Sequence, residues 1–268
     1  MSSEALTQSN LRVFEKGTSQ HQLYKDMYKN QTFDYVVSKL EHYNQMNHLK
    51  ISMKDALSMM DQFVDPSDPD LIAIPNSIHA YQTAERIRKA HPDDYQLQLC
   101  GLIHDVGKIL YKFNEPGWAI VGDTFVVGCQ PPKSMVYYDD YEKLNPDATN
   151  PKYNSKLGVY QEGCGLENLV LSFGHDEYLY QVLKHNKNHK LEDKYINVIR
   201  FHSFYPWHTY GEYRYFMNDK DHQLLENIND FNQYDLYSKA DVDFVLTYGI
   251  KKYYEELLDE YFPGIMEW

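Results

Sequence analysis

The stretch GLIHDVGKIL, residues 101–110, sets two ionisable side chains, His104 and Asp105, inside an otherwise apolar run. Burying an unpartnered neutral polar group costs roughly 2–7 kcal/mol, and a charge costs more. A bound metal ion offsets that cost, provided that other parts of the chain bring further ligands to the same point. The stretch also fixes local structure. His91-Pro92-Asp93-Asp94 is punctuation, and the spacing predicts a helix from about Tyr95 to Lys112 with the His-Asp pair at its centre.

Toward the N-terminus, Pro75-Asn76-Ser77 leads into a helix through Ala90. Ser52-Met53-Lys54-Asp55 is a capping-box pattern opening a helix to about Val64, and residues 22–48 read as one long helix. A Pro/Asp-rich loop, Asp65-Pro66-Ser67-Asp68-Pro69-Asp70, follows Val64. Toward the C-terminus, WAIVGDTFVV (118–127) has β-branched residues around Gly-Asp and reads as a short extended or hairpin segment. Residues 129–160 are rich in Pro, Asn and Asp and read as a long ordered loop. Helical patterns resume at 165–187, 192–204, 219–230 and 241–260. Neither an internal repeat nor a low-complexity linker divides the chain. The expected fold is mostly α: one helical domain over residues 1–268 with a short β hairpin, residues 1–20 forming a flexible N-terminal segment.

Composition excludes several classes. With 268 residues the chain can bury a large core. A formal charge of -13 and no basic stripe argue against nucleic acid, whose phosphates require Lys and Arg. Mean hydropathy is -0.64 and no apolar run approaches a membrane span. The polar start MSSEALTQSNLRVFEKG lacks the apolar centre of a secretory signal. Three cysteines (Cys100, Cys129, Cys164) without C-x-x-C spacing form no disulfide framework or thiolate zinc site. The expectation is a cytoplasmic, monomeric protein that binds neither membrane nor nucleic acid. Tyrosine is abundant, with 25 residues, which suits a core with polar seams.

Seven histidines (His21, His42, His48, His91, His185, His189, His222) lie among polar neighbours and read as solvated. Four others sit in segments that read as buried: His79, His104, His175 and His202. One buried histidine is ordinarily a hydrogen-bonded core residue, but four on separate segments, two followed by Asp, point to metal. Adjacent helical residues diverge by about 100°, so His104 and Asp105 do not face each other. They can still serve neighbouring ions if Asp105 bridges, because two-metal sites hold their ions roughly 3.5–4 Å apart. Lys108, at i+4 from His104, shares its face and can aim its ammonium at a bound ligand. Asp235, in FNQYDLYSK, is a further acid among apolar neighbours.

The order His79, His104-Asp105, Asp235 resembles the HD superfamily of helical metal-binding domains, most of which are phosphohydrolases. The neighbouring words select a different member. DPDLIAIPNSIHAYQTAE, HPDDYQLQLCGLIHDVGKI, EPGWAIVGDTFVVGC, CGLENLVLSFGHDEYLYQ, IRFHSFYPWHTYGEYR and FNQYDLYSK together closely resemble the myo-inositol oxygenase family, in register over about residues 20–268. That resemblance implies two iron ions, mixed-valent Fe(II)/Fe(III), with a bridging hydroxide. It implies His79, His104 and Asp235 as ligands of one iron, His175 and His202 of the second, and Asp105 as the bridge. It places Arg12, Asp65, Pro66, Ser67, Lys108, Gly122, Asp123, His202 and Ser203 around the polyol, with Lys108 and Asp105 as the catalytic residues. The words around Arg12, together with Pro66 and one extra residue in Leu71–Ile74, depart from the family's pattern. Asp176 is expected to orient His175 or cap the helix that follows.

A set poor in carboxylates keeps a mixed-valent pair net positive, which favours binding a polyol oxygen and lowering its pKa. The implied reaction is a four-electron oxidation of myo-inositol by O2, begun by a superoxo species taking hydrogen from C1, with C1–C6 cleavage to D-glucuronate and water. Two alternatives use the same residues: an HD-type phosphohydrolase, with Lys108, Arg12 and Lys239 as its candidate phosphate cations, and a non-catalytic scaffold holding structural zinc in a closed shell.

Overall fold

A computed structural model describes residues 15–65, 75–238 and 244–268, and residues 236–238 by their backbone only. The described chain is mostly helical, as expected. The helices are α1 Ser19–Asn30, α2 Phe33–Tyr43, α3 Met53–Met59, α4 Asn76–Ala90, α5 Tyr95–Ile103, α6 Tyr138–Leu144, α7 His175–His185, α8 Asp193–Phe201, α9 Tyr205–His208, α10 Asp219–Ser238 and α11 Tyr248–Tyr261. Shorter 3-10 turns join them.

The long helix expected over 22–48 is two helices, α1 and α2. At their joint the hydroxyl of Thr32 accepts from the Tyr35 amide at 3.2 Å, which starts a new helix. The Gln31 side chain turns inward and bonds the main chain of Phe173 twice, donating at 2.7 Å and accepting at 2.9 Å. A tertiary contact two residues before His175 therefore decides a break that periodicity does not reveal. The expected cap at α3 is present in its first half: Ser52 Oγ accepts from the Asp55 amide at 3.1 Å, and the Asp55 carboxylate accepts from the Ser52 hydroxyl at 2.7 Å.

α4 and α5 pack closely because Gly101 offers no side chain at their crossing. A Cβ there would lie 2.7 Å from Ile87 Cδ1 and 3.0 Å from the Ala84 backbone. The helix expected through Lys112 ends at Ile103, and residues Val106–Phe113 tighten into 3-10 turns that stop at Asn114 in the left-handed conformation. The tightening brings Gly107 against α7. A Cβ on Gly107 would meet the His175 carbonyl oxygen at 1.9 Å, so only glycine permits this approach.

The antiparallel pair is not at 118–127. It forms between β1, Lys50–Ile51, and β2, Met266–Glu267, with Ile51 opposite Met266. Residues 118–127 instead make a 3-10 turn and an extended run with a single bridge, Val126 to Leu171. The loop 129–160 contains α6, and α7 begins at His175, not near 165. α10 runs past 230 to Ser238 and so carries Asp235 on a helix.

Many of the tyrosines are buried in the core, some with hydroxyls tied to half-buried carboxylates, as Tyr43 is to Glu115 at 2.7 Å and Tyr254 to Glu85 at 3.0 Å. A buried ion pair joins the first turns of α7 to the end of α8: Arg200 Nε lies 2.7 Å from Glu177 Oε2, and its other nitrogens donate to the Glu167 and Leu169 carbonyls. Arg200→Met leaves Glu177 buried without its partner and should cost about 3–5 kcal/mol. Urea unfolding of the metal-free protein measures this, and the double variant with Glu177→Met should recover part of the loss.

Candidate metal centre

Four imidazoles and two carboxylates converge at the centre of these helices. His79 comes from the first turn of α4, His104 and Asp105 from the joint after α5, His175 from the first residue of α7, His202 from the end of α8, and Asp235 from α10. All six are at most 5% exposed. His79 Nε2 lies 2.9 Å and His104 Nε2 3.4 Å from Asp235 Oδ1. Asp105 Oδ2 is 3.5 Å from His104 Nε2, whereas its Oδ1 is 3.1 Å from His175 Nε2 and 3.9 Å from His202 Nε2. The residues thus fall into two groups able to hold a metal ion, His79-His104-Asp105 and Asp105-His175-His202, with Asp105 common to both.

The donor set suits metal for a reason visible in the hydrogen bonds. Nδ1 of His104, His175 and His202 faces the carbonyls of Gly101, Ile120 and Ile199 at 2.9, 2.7 and 2.7 Å. A carbonyl only accepts, so each Nδ1 carries the hydrogen, and the neutral ring keeps its lone pair on Nε2. Two such nitrogens, on His175 and His202, stand 3.2 Å apart. Facing lone pairs repel, and a shared cation removes the repulsion.

Protonation divides the rings. Burial, then His104 and His175, push His202 down to about 4, leaving it a neutral donor. Burial also lowers His104 and His175, but Asp105 with Asp235 outweighs it at His104, and Asp105 with Asp176 at His175, so both are raised. Burial alone would raise Asp105, but Lys108 and the adjacent histidines hold it well below the usual carboxylate range. Burial alone would lower Lys108, yet Asp105 and Asp65 outweigh it and raise it, so the ammonium persists. Lys108 Nζ lies 2.9 Å from Asp105 Oδ2, 2.8 Å from Asp65 Oδ2 and 3.4 Å from Asn76 Oδ1.

The segment Gly122-Asp123 is stapled between His175 and His202 of the second group. The Ile120 carbonyl accepts from both the amide and Nδ1 of His175. Two residues beyond Gly122, the Thr124 amide donates to the Ser203 carbonyl at 2.9 Å, beside His202. Gly122 has φ of 118°, a conformation that favours glycine. Asp123 is buried and accepts from Tyr24 Oη at 2.8 Å. Asp65 is buried against Lys108. Arg12, Pro66, Ser67, the Leu71–Ile74 segment and Lys239 lie outside the described residues.

Asp176 does not touch the ring of His175. Its Oδ2 accepts from Thr124 Oγ1 at 2.6 Å and its Oδ1 from the Glu177 amide at 2.9 Å, so it ties the Asp123 segment to the start of α7. The sequence reading missed Thr124, Tyr24 and Asn76. Asn76 donates to the Met60 and Phe63 carbonyls while facing Lys108, a role its place at a helix start does not announce. It also missed His208, buried beside His202, and His48 is half-buried against Tyr43 and Phe113 instead of solvated.

Gly107→Ala tests the docking that aims His175. The new Cβ would press on backbone, which cannot swing aside, and His175 would shift by about 1 Å, enough to cost on the order of a hundredfold in rate. Metal content should fall at the His175–His202 position while the protein stays folded; atomic absorption and circular dichroism check the two parts.

Helices that present a histidine-rich, carboxylate-poor pair of metal positions sharing one carboxylate define a candidate two-metal protein of the His-Asp type. Sequence comparison narrows the class. A family model described as Myo-inositol oxygenase matches residues 18–268. Inositol oxygenase of Rattus norvegicus is 48% identical over 245 residues, covering 91% of this chain and 85% of that protein. Inositol oxygenase of Danio rerio is 45% identical over 245 residues, covering 91% and 87%. A probable inositol oxygenase of Oryza sativa subsp. japonica is 43% identical over 257 residues, covering 95% and 82%. The chain belongs to the myo-inositol oxygenase family.

Proposed function

We propose that this chain is a di-iron oxygenase that converts myo-inositol and O2 to D-glucuronate and water by cleaving the ring between C1 and C6. The observation that carries the reading is the pair of buried histidine groups sharing Asp105, with Lys108 against the same carboxylate. His79, His104 and Asp235 would hold one iron, His175 and His202 the other, and Asp105 both. A mixed-valent Fe(II)/Fe(III) pair with a bridging hydroxide would supply Lewis acidity toward the polyol hydroxyls and electron transfer with dioxygen.

The chain's own residues do the rest. Lys108, kept protonated, donates a hydrogen bond to the reacting hydroxyl oxygen and stabilises the negative charge that grows as its proton leaves; a preorganised donor in a dry site is worth far more than one in water. Asp65 and Asp105 hold that ammonium in place. Asp123, fixed by Tyr24, accepts from a ring hydroxyl, and Ser203 and the Gly122 backbone complete that side of the ring. Arg12, Pro66 and Ser67 are assigned to the polyol on the family pattern. Burial of the ligands keeps bulk water away.

The same reading makes the chain a cytoplasmic monomer acting on a small molecule. No helix among the described residues is long and apolar enough to cross a membrane. Cys100, Cys129 and Cys164 are free thiols, which suits a reducing compartment. The phosphohydrolase alternative gains no phosphate-binding charge, since two carboxylates already balance the Lys108 ammonium, whereas a neutral polyol hydroxyl needs only an N–H from it. Oxygen uptake by the iron-loaded, partly reduced protein tests the function. One glucuronate per dioxygen is expected on adding myo-inositol; no uptake with mixed-valent iron bound would overturn it.

A further inference from the structure

α8 ends at Phe201, so the carbonyls at its C-terminal end have no donor within the helix. The amide that would cap the His202 carbonyl lies four residues on, but that residue is Pro206, which has no N–H. The imidazole of His208 takes its place, with Nε2 3.1 Å from the His202 oxygen. Because the carbonyl only accepts, Nε2 carries the hydrogen and Nδ1 is an acceptor. Two donors face it: Thr209 Oγ1 at 2.9 Å and Asn232 Nδ2 at 3.1 Å. Both His208 and Asn232 are buried.

Asn232 stands on α10 three residues before Asp235, on the same face of the helix. A continuous line of contacts therefore runs from the Asp235 helix through Asn232 and His208 to the main chain of His202. It links one metal group to the other without passing through either ion. Phe231, next to Asn232, lies edge-on to His104 and His202 at 5.6 and 6.4 Å and fills the space between them with carbon.

We propose that His208, held by Asn232, is a positioning residue that fixes His202 relative to α10 and thereby sets the geometry of the second metal position. The proposal rests on the two-iron reading above. Its link reaches a ligand's main chain and not the substrate, so its loss acts on metal binding first.

The test is an anaerobic titration of metal-free protein with Fe(II) alone, with thermal unfolding of the metal-free and loaded forms. Wild type takes up two Fe(II). In His208→Leu one binding phase should weaken by about 10–100-fold, the range typical of lost partners behind a ligand, while the other is kept. His208→Gln, whose amide can still donate to the His202 carbonyl, should recover most of the affinity. A merely structural His208 would lower the melting temperature of metal-free protein, leave Fe(II) affinity per folded chain unchanged and show no rescue by glutamine, which would overturn the proposal. If His208→Leu does not fold, Asn232→Ala carries the test: a weakened second phase supports the proposal, and wild-type uptake of both ions overturns it. Wild type binding fewer than two Fe(II) would instead remove the two-iron reading, and this proposal with it.

Discussion

Asp105→Ala should strip both metal positions together and abolish turnover. The two oxygens of this carboxylate face different histidine groups, Oδ1 toward His175 at 3.1 Å and Oδ2 toward His104 at 3.5 Å. On the proposed two-iron reading, removing it would take a ligand from each position and the negative charge that both ions would share. The loss should therefore exceed the roughly 10–100-fold typical of a residue that only supports a ligand. Asp105→Asn is the stricter variant, because it keeps the shape while removing the charge and one of the two acceptor oxygens. Lys108 retains Asp65 as a partner in both variants, so the chain has reason to stay folded. Iron per chain by atomic absorption reads the outcome directly. Retention of one iron would mean that Asp105 serves a single position.

Lys108→Ala separates binding of metal from use of it. The side chain is 3% exposed, and a buried amine ordinarily sheds its proton. Here burial is opposed first by Asp105 and then by Asp65, and the balance keeps the ammonium. No ligand is lost in the variant, so two irons should remain. Turnover should fall by about 10²–10³-fold, the effect of deleting one preorganised donor to a developing oxyanion. Asp65 loses its ion pair with Lys108 as well, so rates are compared per folded, iron-loaded chain. Near-normal turnover at full iron content would remove Lys108 from the chemistry.

Much of this site was legible from residue types alone. A His-Asp pair in an apolar segment is costly without a partner, and three more histidines in apolar segments supplied candidates; the structure gathers all of them. Helix boundaries were less legible wherever a tertiary contact decides them. The run from 95 to 112 has helical periodicity throughout, but the approach of Gly107 to the His175 carbonyl tightens its second half. The β-branched residues of 118–127 suit an extended chain, and their anchors at Ile120 and Thr124 go to His175 and Ser203, far away in sequence. Thr124, Asn76 and His208 act through main-chain carbonyls and through side chains distant in sequence, those of Asp176, Lys108 and Asn232. No local pattern marks such partners, because a carbonyl is present at every position. Tyr24 is one of 25 tyrosines, and only its contact with Asp123 distinguishes it.

The central claim is that two ions share Asp105 between the two histidine groups. Anomalous diffraction at the iron edge from crystals of the iron-loaded protein tests it most directly. Two peaks are expected roughly 3.5–4 Å apart, one against His79, His104 and Asp235, the other against His175 and His202, with an oxygen of Asp105 at each. A single peak, or two peaks with Asp105 bound to only one, would contradict it.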